Sequence, residues 1–233
     1  MAPEKENTFV EKYLTPIAVL LGAIIIAVAF AFGSGERPAT TGDGAPVEVD
    51  VKDVKTEGSP SVGSATAPLT IAVWFDYQCP FCKRFELETL EQVFDEYVAT
   101  GKVRIVYKDF QFLGPDSMDA AVFARAVWEA HPDKFHEWYK AVMTAQDEEH
   151  AGFGNLDSVA AMTRGVAGMD VDRILSLVES KRSEYEAAIA ADRVEGQGFG
   201  ITGTPGAIVG TQLIGGAQPY SVVKAAIDAE LAK

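Results

Sequence analysis

From Tyr13 to Phe32 the chain carries no charged side chain, after a short polar opening. That run is about twenty residues long, the length an α-helix needs to cross a bilayer's hydrocarbon. Its most apolar part, Ile17 to Phe32, also suits a signal-peptide core, and Ala29-Phe30-Ala31 has the small-x-small spacing of a cleavage site. The length of the whole run favours an uncleaved anchor over 13–32, with 1–12 in the cytoplasm, an orientation that Lys5 and Lys12 support. Residues 33–60 are rich in Gly, Pro, Thr and Asp and read as a flexible tether. Within it Val47, Val49 and Val51 alternate with Glu48 and Asp50, which predicts a short leading strand.

The folded domain is expected over 61–233. Leu69 to Phe75 is a compact apolar run of the kind found in buried strands. Beyond Pro80, Phe85, Leu90, Val93, Phe94 and Tyr97 form an imperfect helical stripe that Gly101 should stop. Val103 to Tyr107 predicts a second strand. A helical section follows, with an expected extent of about 115–182. In it Met118, Val122 and Ala126 recur every fourth residue until His131-Pro132 interrupts them. Phe135, Trp138, Tyr139 and Val142 then keep the i, i+3, i+4, i+7 rule, with Asp133 placed as a cap. Val171, Ile174, Leu175 and Val178 repeat the rule after Asp170, a second expected cap, and Tyr185, Ala188 and Ile189 suggest one more helix. Gly210-Thr211 between Ala207-Ile208-Val209 and Gln212-Leu213-Ile214 predicts a two-residue hairpin. Pro219 then opens a last helix with Val223, Ile227 and Leu231 on its face. This order of strand, helix, strand, helical block, hairpin and helix is an α/β domain with helices inserted in its middle.

Composition changes this picture little. At 48% hydrophobic and 23% charged, the chain should bury a core. The net charge of −14 excludes nucleic acid as a partner, because phosphate binding needs a surplus of Lys and Arg.

The two cysteines matter more. Cys79 and Cys82 are the whole thiol inventory and stand two residues apart. A disulfide between them closes almost no loop, so it would make a poor staple. Zinc would need two more ligands, and His131, His136 and His150 show no metal-pair spacing to the cysteines, so no metal is expected. At a strand-to-helix junction, however, the first cysteine meets unpaired N–H groups and the positive end of the helix dipole, which stabilise thiolate. Cys79 should then be the exposed nucleophile, with Pro80 in the first helical turn and Cys82 shielded to resolve a mixed disulfide.

The segment Ser64 to Cys82, ending Trp74-Phe75-Asp76-Tyr77-Gln78-Cys79-Pro80-Phe81-Cys82, resembles the DsbA-like family of thioredoxin-fold thiol–disulfide oxidoreductases. The resemblance extends over about 61–233 and includes Gly203-Thr204-Pro205-Gly206, which matches the family's cis-proline loop. It implies a thioredoxin-like fold with a helical insertion and no cofactor beyond the redox-active cysteine pair. It also implies a cis Thr204–Pro205 bond facing the sulfurs, where Thr204 and Pro205 offer backbone groups to substrate as an added strand. The expected activity is disulfide donation to exported cysteine-containing proteins, with reductase, isomerase and non-catalytic binding module as alternatives. The expected setting is a monomer tethered to the outer face of the cell membrane, re-oxidised by a membrane quinone-linked thiol oxidase. Two departures from the family stand out. Val73 occupies the place of a buried acid, leaving water or Asp76 to move a proton, although Asp76 itself reads as a solvated loop aspartate. Phe81 replaces a histidine of the most oxidising members and cannot donate a charge-assisted bond to the Cys79 thiolate, so a less extreme potential is expected.

Overall fold

A computed structural model of the protein describes residues 48–149 and 151–233. The expected cytoplasmic segment, the apolar run 13–32, most of the tether and Val47 lie outside the described residues. Among the described residues no helix is long and apolar enough to cross a membrane.

Leu69–Phe75 forms strand β2, buried on both faces as its unbroken apolar run predicts. Its alternating side chains feed two cores. Ile71, Val73 and Phe75 point into the larger one, shared with the helices, while Ala72 and Trp74 join Ile208, Phe110 and Ile201 in the smaller. Around it stand β1 (Ser61–Val62), β3 (Val103–Asp109), β4 (Gly206–Val209) and β5 (Gln212–Gly215), in the order β1-β3-β2-β4-β5. β3 runs parallel to β2, and β4 and β5 return antiparallel as a hairpin. The hairpin turns on Gly210, whose φ of +59° suits a residue without a Cβ. The thioredoxin-like order expected from the sequence is present, with the helical insertion between β3 and β4.

Helix α1 begins at Pro80–Phe85 and continues through two wider turns, Glu86–Leu90 and Phe94–Val98, separated by Glu91–Val93. In each wide turn the backbone bond spans five residues: Glu91 N–H donates to the Glu86 carbonyl, and Ala99 N–H to that of Phe94 at 2.8 Å. The insertion holds α2 (Pro115–Ala130), α3 (Phe135–Ala145), α4 (Leu156–Thr163) and α5 (Val171–Gly198), and α6 (Tyr220–Leu231) closes the chain.

Several expectations need correction. The folded body starts before Ser61: Val49, Val51 and Val54 are buried against Trp74 and Ile208, and Val51 N–H bonds the Gly210 carbonyl at 2.8 Å. Of the expected leading strand, the described Val49 and Val51 form none. Asp50 caps a single 3-10 turn, Val51–Asp53, by accepting from Lys52 N. Asp133 caps nothing, because it lies inside the 3-10 turn Pro132–Lys134 and Lys134 takes the cap position of α3. Asp170 does cap α5, accepting from Arg173 N at 3.0 Å. The helix after it is one element of 28 residues, so the insertion reaches Gly198, beyond the expected end near 182. Its buried positions Val171, Ile174, Val178, Tyr185, Ile189, Asp192 and Gly196 keep one stripe, and the charged stretch between Val178 and Tyr185 only shows where that stripe turns from view. Helix α4 falls within the expected helical section at a place no expected stripe marked, and Asn155 caps it by accepting from Ser158 N.

Candidate functional site

Strand β2 ends at Phe75, and four residues later Cys79 stands at the N-cap of α1. Pro80 fills the first helical position, where its missing N–H costs nothing. The Cys79 carbonyl accepts from Cys82 N at 3.0 Å and Lys83 N at 3.2 Å, which fixes the first turn. From the insertion, Gln146 Nε2 donates to the carbonyls of Tyr77 (2.6 Å) and Cys79 (3.3 Å), so α3 and the redox turn hold one position together. Gln78 reaches the other way, donating through Nε2 to the Phe153 carbonyl at 2.5 Å.

The hairpin supplies the opposite wall. Trp74 pairs with Gly206, which sets the two residues before Gly206 beside the end of β2 and therefore beside the sulfurs. The Thr204–Pro205 bond is cis, as the resemblance implied. Cys79 Sγ lies 3.5 Å from the Thr204 carbonyl. The sequence-predicted residues Cys79, Cys82, Thr204 and Pro205 thus come together, although about 120 residues of chain separate the two halves.

Cys79 is less exposed than expected. It is 4% accessible, against 2% for Cys82, so both free thiols are buried. Beside it Phe81 is 54% exposed, with the Arg84 guanidinium 5.2 Å above its ring. The side chain of Phe81 therefore faces outward and gives the sulfur only its backbone N–H.

Electrostatics separate the two thiols. The Cys79 thiol is held down at about 6, because Cys82 donates a hydrogen bond to its thiolate and burial only partly opposes this; Thr204 and the N–H groups of Cys82 and Phe81 add to it. Burial drives Cys82 well above the ordinary thiol range, and the neighbouring Cys79 pushes it the same way. At neutral pH the pair holds one thiolate, on Cys79, and one proton, on Cys82.

Asp76 is not a solvated loop residue. It is fully buried and accepts from Ser117 Oγ (2.6 Å), Gln78 N (2.8 Å), Phe112 N (2.9 Å) and Leu113 N (3.2 Å). Burial raises its pKa while these bonds restrain the rise. It ties the loop after β3 to the turn that carries the cysteines. Its sequence signal, an Asp three residues before Cys79, gave no hint of those four partners. Val73 packs in the core as an apolar residue, so no acid stands there. Glu86, one turn after Cys82, was also passed over: it is buried, and burial pushes its carboxyl up to about 8.

This geometry agrees with the relatives. A family profile described as Thioredoxin matches residues 55–229. Disulfide bond formation protein D of Bacillus subtilis (strain 168) is 25% identical over 178 residues, which are 75% of this chain and 78% of that protein. The crystal structure of oxidised BdbD from Bacillus subtilis superposes with a TM-score of 0.70 at 21% identity, over 77% of this chain and 96% of that one. Chlamydia trachomatis DsbA gives 0.66 at 19% identity, over 76% and 93%. At such identities these two structures speak for the fold. Since the profile spans nearly the whole described body and the redox turn carries both sulfurs, the chain belongs to the thioredoxin family, as a thiol–disulfide oxidoreductase.

Proposed function

We propose that this protein is a dithiol oxidase that gives its Cys79–Cys82 disulfide to exported cysteine-containing proteins, held at the outer face of the membrane by residues 13–32. The supporting observation is the split between the thiols, with Cys79 near 6 and Cys82 far above it. A substrate thiolate attacks Cys79 Sγ, the Cys79–Cys82 disulfide bond breaks, and Cys82 leaves and takes up a proton. The second substrate thiolate then attacks the substrate sulfur of the mixed disulfide and expels Cys79. A low-pKa thiol leaves fast, so this last step is the one the site favours. The substrate becomes a disulfide and the pair a dithiol. Thr204 and Pro205 would align the incoming peptide as an added strand. A membrane quinone-linked thiol oxidase would take the two electrons and restore the disulfide, with the protein acting as a monomer. The name of the Bacillus subtilis relative, disulfide bond formation protein D, supports the oxidative direction.

Equilibration with glutathione tests the reading. With no histidine at Phe81, the potential should fall below the roughly −120 mV of DsbA yet stay above the roughly −270 mV of thioredoxin. A value under that of thioredoxin would mark a reductase instead. Insulin reduction and substrate oxidation should both vanish in Cys79→Ser, and equal activity in that variant would leave only a binding module.

A further inference from the structure

Glu86, Glu91 and His136 meet where α1 faces α3, with one ligand atom from each lying within 4.8 Å of the others. Glu86 is 1% exposed, and neither of its carboxylate oxygens has a hydrogen-bond partner among the described residues. Glu91 Oε1 and His136 Nδ1 also lack one there. An orphaned buried carboxylate is costly unless a cation or a proton completes it.

The backbone explains how the three converge. In an α-helix residues five apart lie about 140° round from each other, at about 100° per residue. Here the first wide turn of α1 bonds Glu91 N–H to the Glu86 carbonyl, which brings the two glutamates to one side. Such wide turns are frequent at functional sites. His136 arrives from α3 and lies flat on Phe94, ring centroids 3.8 Å apart and planes 10° from parallel. That stack fixes the imidazole with Nε2 3.7 Å from Glu91 Oε1. Lys140 bonds the other oxygen of Glu91, Oε2, so Oε1 is the free one.

We propose that Glu86, Glu91 and His136 bind a divalent transition-metal cation of the zinc type, which clamps the helical insertion to the redox helix. Two carboxylate oxygens and one imidazole nitrogen are a zinc donor set, with a fourth position left for water. The all-oxygen preference of calcium and magnesium fits it less well. Zinc bonds of about 2.0–2.2 Å put neighbouring ligand atoms roughly 3.3–3.6 Å apart, so side-chain rotations of about an ångström close the set. The dication would balance the two carboxylates, and Lys140 would stay on Glu91 Oε2 outside the coordination sphere.

The test uses the full chain oxidised to the Cys79–Cys82 disulfide, so that thiolates cannot ligate, and stripped with chelator. Zn2+ is then titrated by calorimetry. One equivalent should bind and raise the unfolding temperature, with affinity lowered at least tenfold in Glu86→Gln and in His136→Asn, the latter a near-isosteric change at a side chain that is 22% exposed. Cobalt(II) should give the visible absorption of a low-coordinate site, altered in His136→Asn. No saturable binding up to about 100 µM, or unchanged affinity in both variants, would overturn the proposal. So would a wild type indifferent to Zn2+ beside a Glu86→Gln protein of higher unfolding temperature, because that marks Glu86 as a neutral buried acid.

Discussion

Between pH 5 and pH 7 the reduced protein should gain about 1 kcal/mol of stability over a Cys79→Ser variant, all of it from one sulfur. An unfolded cysteine titrates near 8.5, whereas the folded Cys79 titrates near 6. A group whose pKa is lowered by folding adds stability that is complete above its unfolded pKa and is lost as pH falls through its folded pKa. At pH 7 the folded thiol is about nine-tenths ionised and the unfolded one a few per cent, a difference worth about 1.4 kcal/mol, against about 0.1 at pH 5. Discounting part of this for screening leaves about 1 kcal/mol. Cys82 does not enter below pH 8.5, since folding raises its pKa and both states keep its proton. Because the thiolate exists only in the dithiol, the same energy makes the disulfide more oxidising by roughly 20 mV at pH 7. Urea unfolding of the two reduced proteins at several pH values measures the effect, and the comparison cancels every carboxylate and histidine they share. Iodoacetamide trapping of Cys79 should show its midpoint near pH 6. Parallel stability curves from pH 5 to 7, or an alkylation midpoint above 8, would refute the electrostatic account of the site.

Other perturbations follow from the packing around the redox turn. Arg125 sits with Lys108 among the buried Asp109 and Asp192 and the partly buried Glu195, holding Asp109 at 2.7 Å and bonding Asp192 directly. Arg125→Ala leaves the buried Asp109 without a cation, while Asp192 keeps Lys108, and should cost about 3–5 kcal/mol in chemical denaturation. Gly196→Ala would place a Cβ 2.7 Å from the Trp74 ring, which cannot withdraw because its Nε1 donates to the Asp192 carbonyl at 2.9 Å. A loss of about 1–3 kcal/mol is expected there, with intrinsic tryptophan fluorescence reporting the displaced ring. Asp76→Ala removes the acceptor for Phe112 N, Leu113 N and Ser117 Oγ. It should cost about 1–3 kcal/mol and speed amide exchange at Phe112 and Leu113.

How much of this was legible in the sequence depends on distance along the chain. Strand β2, the start of α1, the Gly210 hairpin and the Asp170 cap are local matters, set by burial of an apolar run, by Pro80 at a first helical position and by short-range backbone bonds. The Cys79-Pro80-Phe81-Cys82 spacing likewise fixed a sulfur at a helix start, and with it the lowered pKa. Thr204 and Pro205 could be tied to the sulfurs only through a family resemblance, because their contact is made by the pairing of β4 with β2.

What the tertiary structure alone decided is the polar interior. Asp76, Lys108, Asp109, Arg125, Asp192 and Glu86 look like ordinary surface charges in a one-dimensional pattern, since hydrophobic periodicity has no term for a charge buried without a partner, as Glu86 is, or with one 16 to 84 residues away, as Arg125 and Lys108 are. The single stripe of α5 and the early packing of Val49, Val51 and Val54 were hidden for the same reason. A residue's burial is fixed by what the rest of the chain lays over it, and the wide turn brings Glu91 toward Glu86 where α1 meets α3.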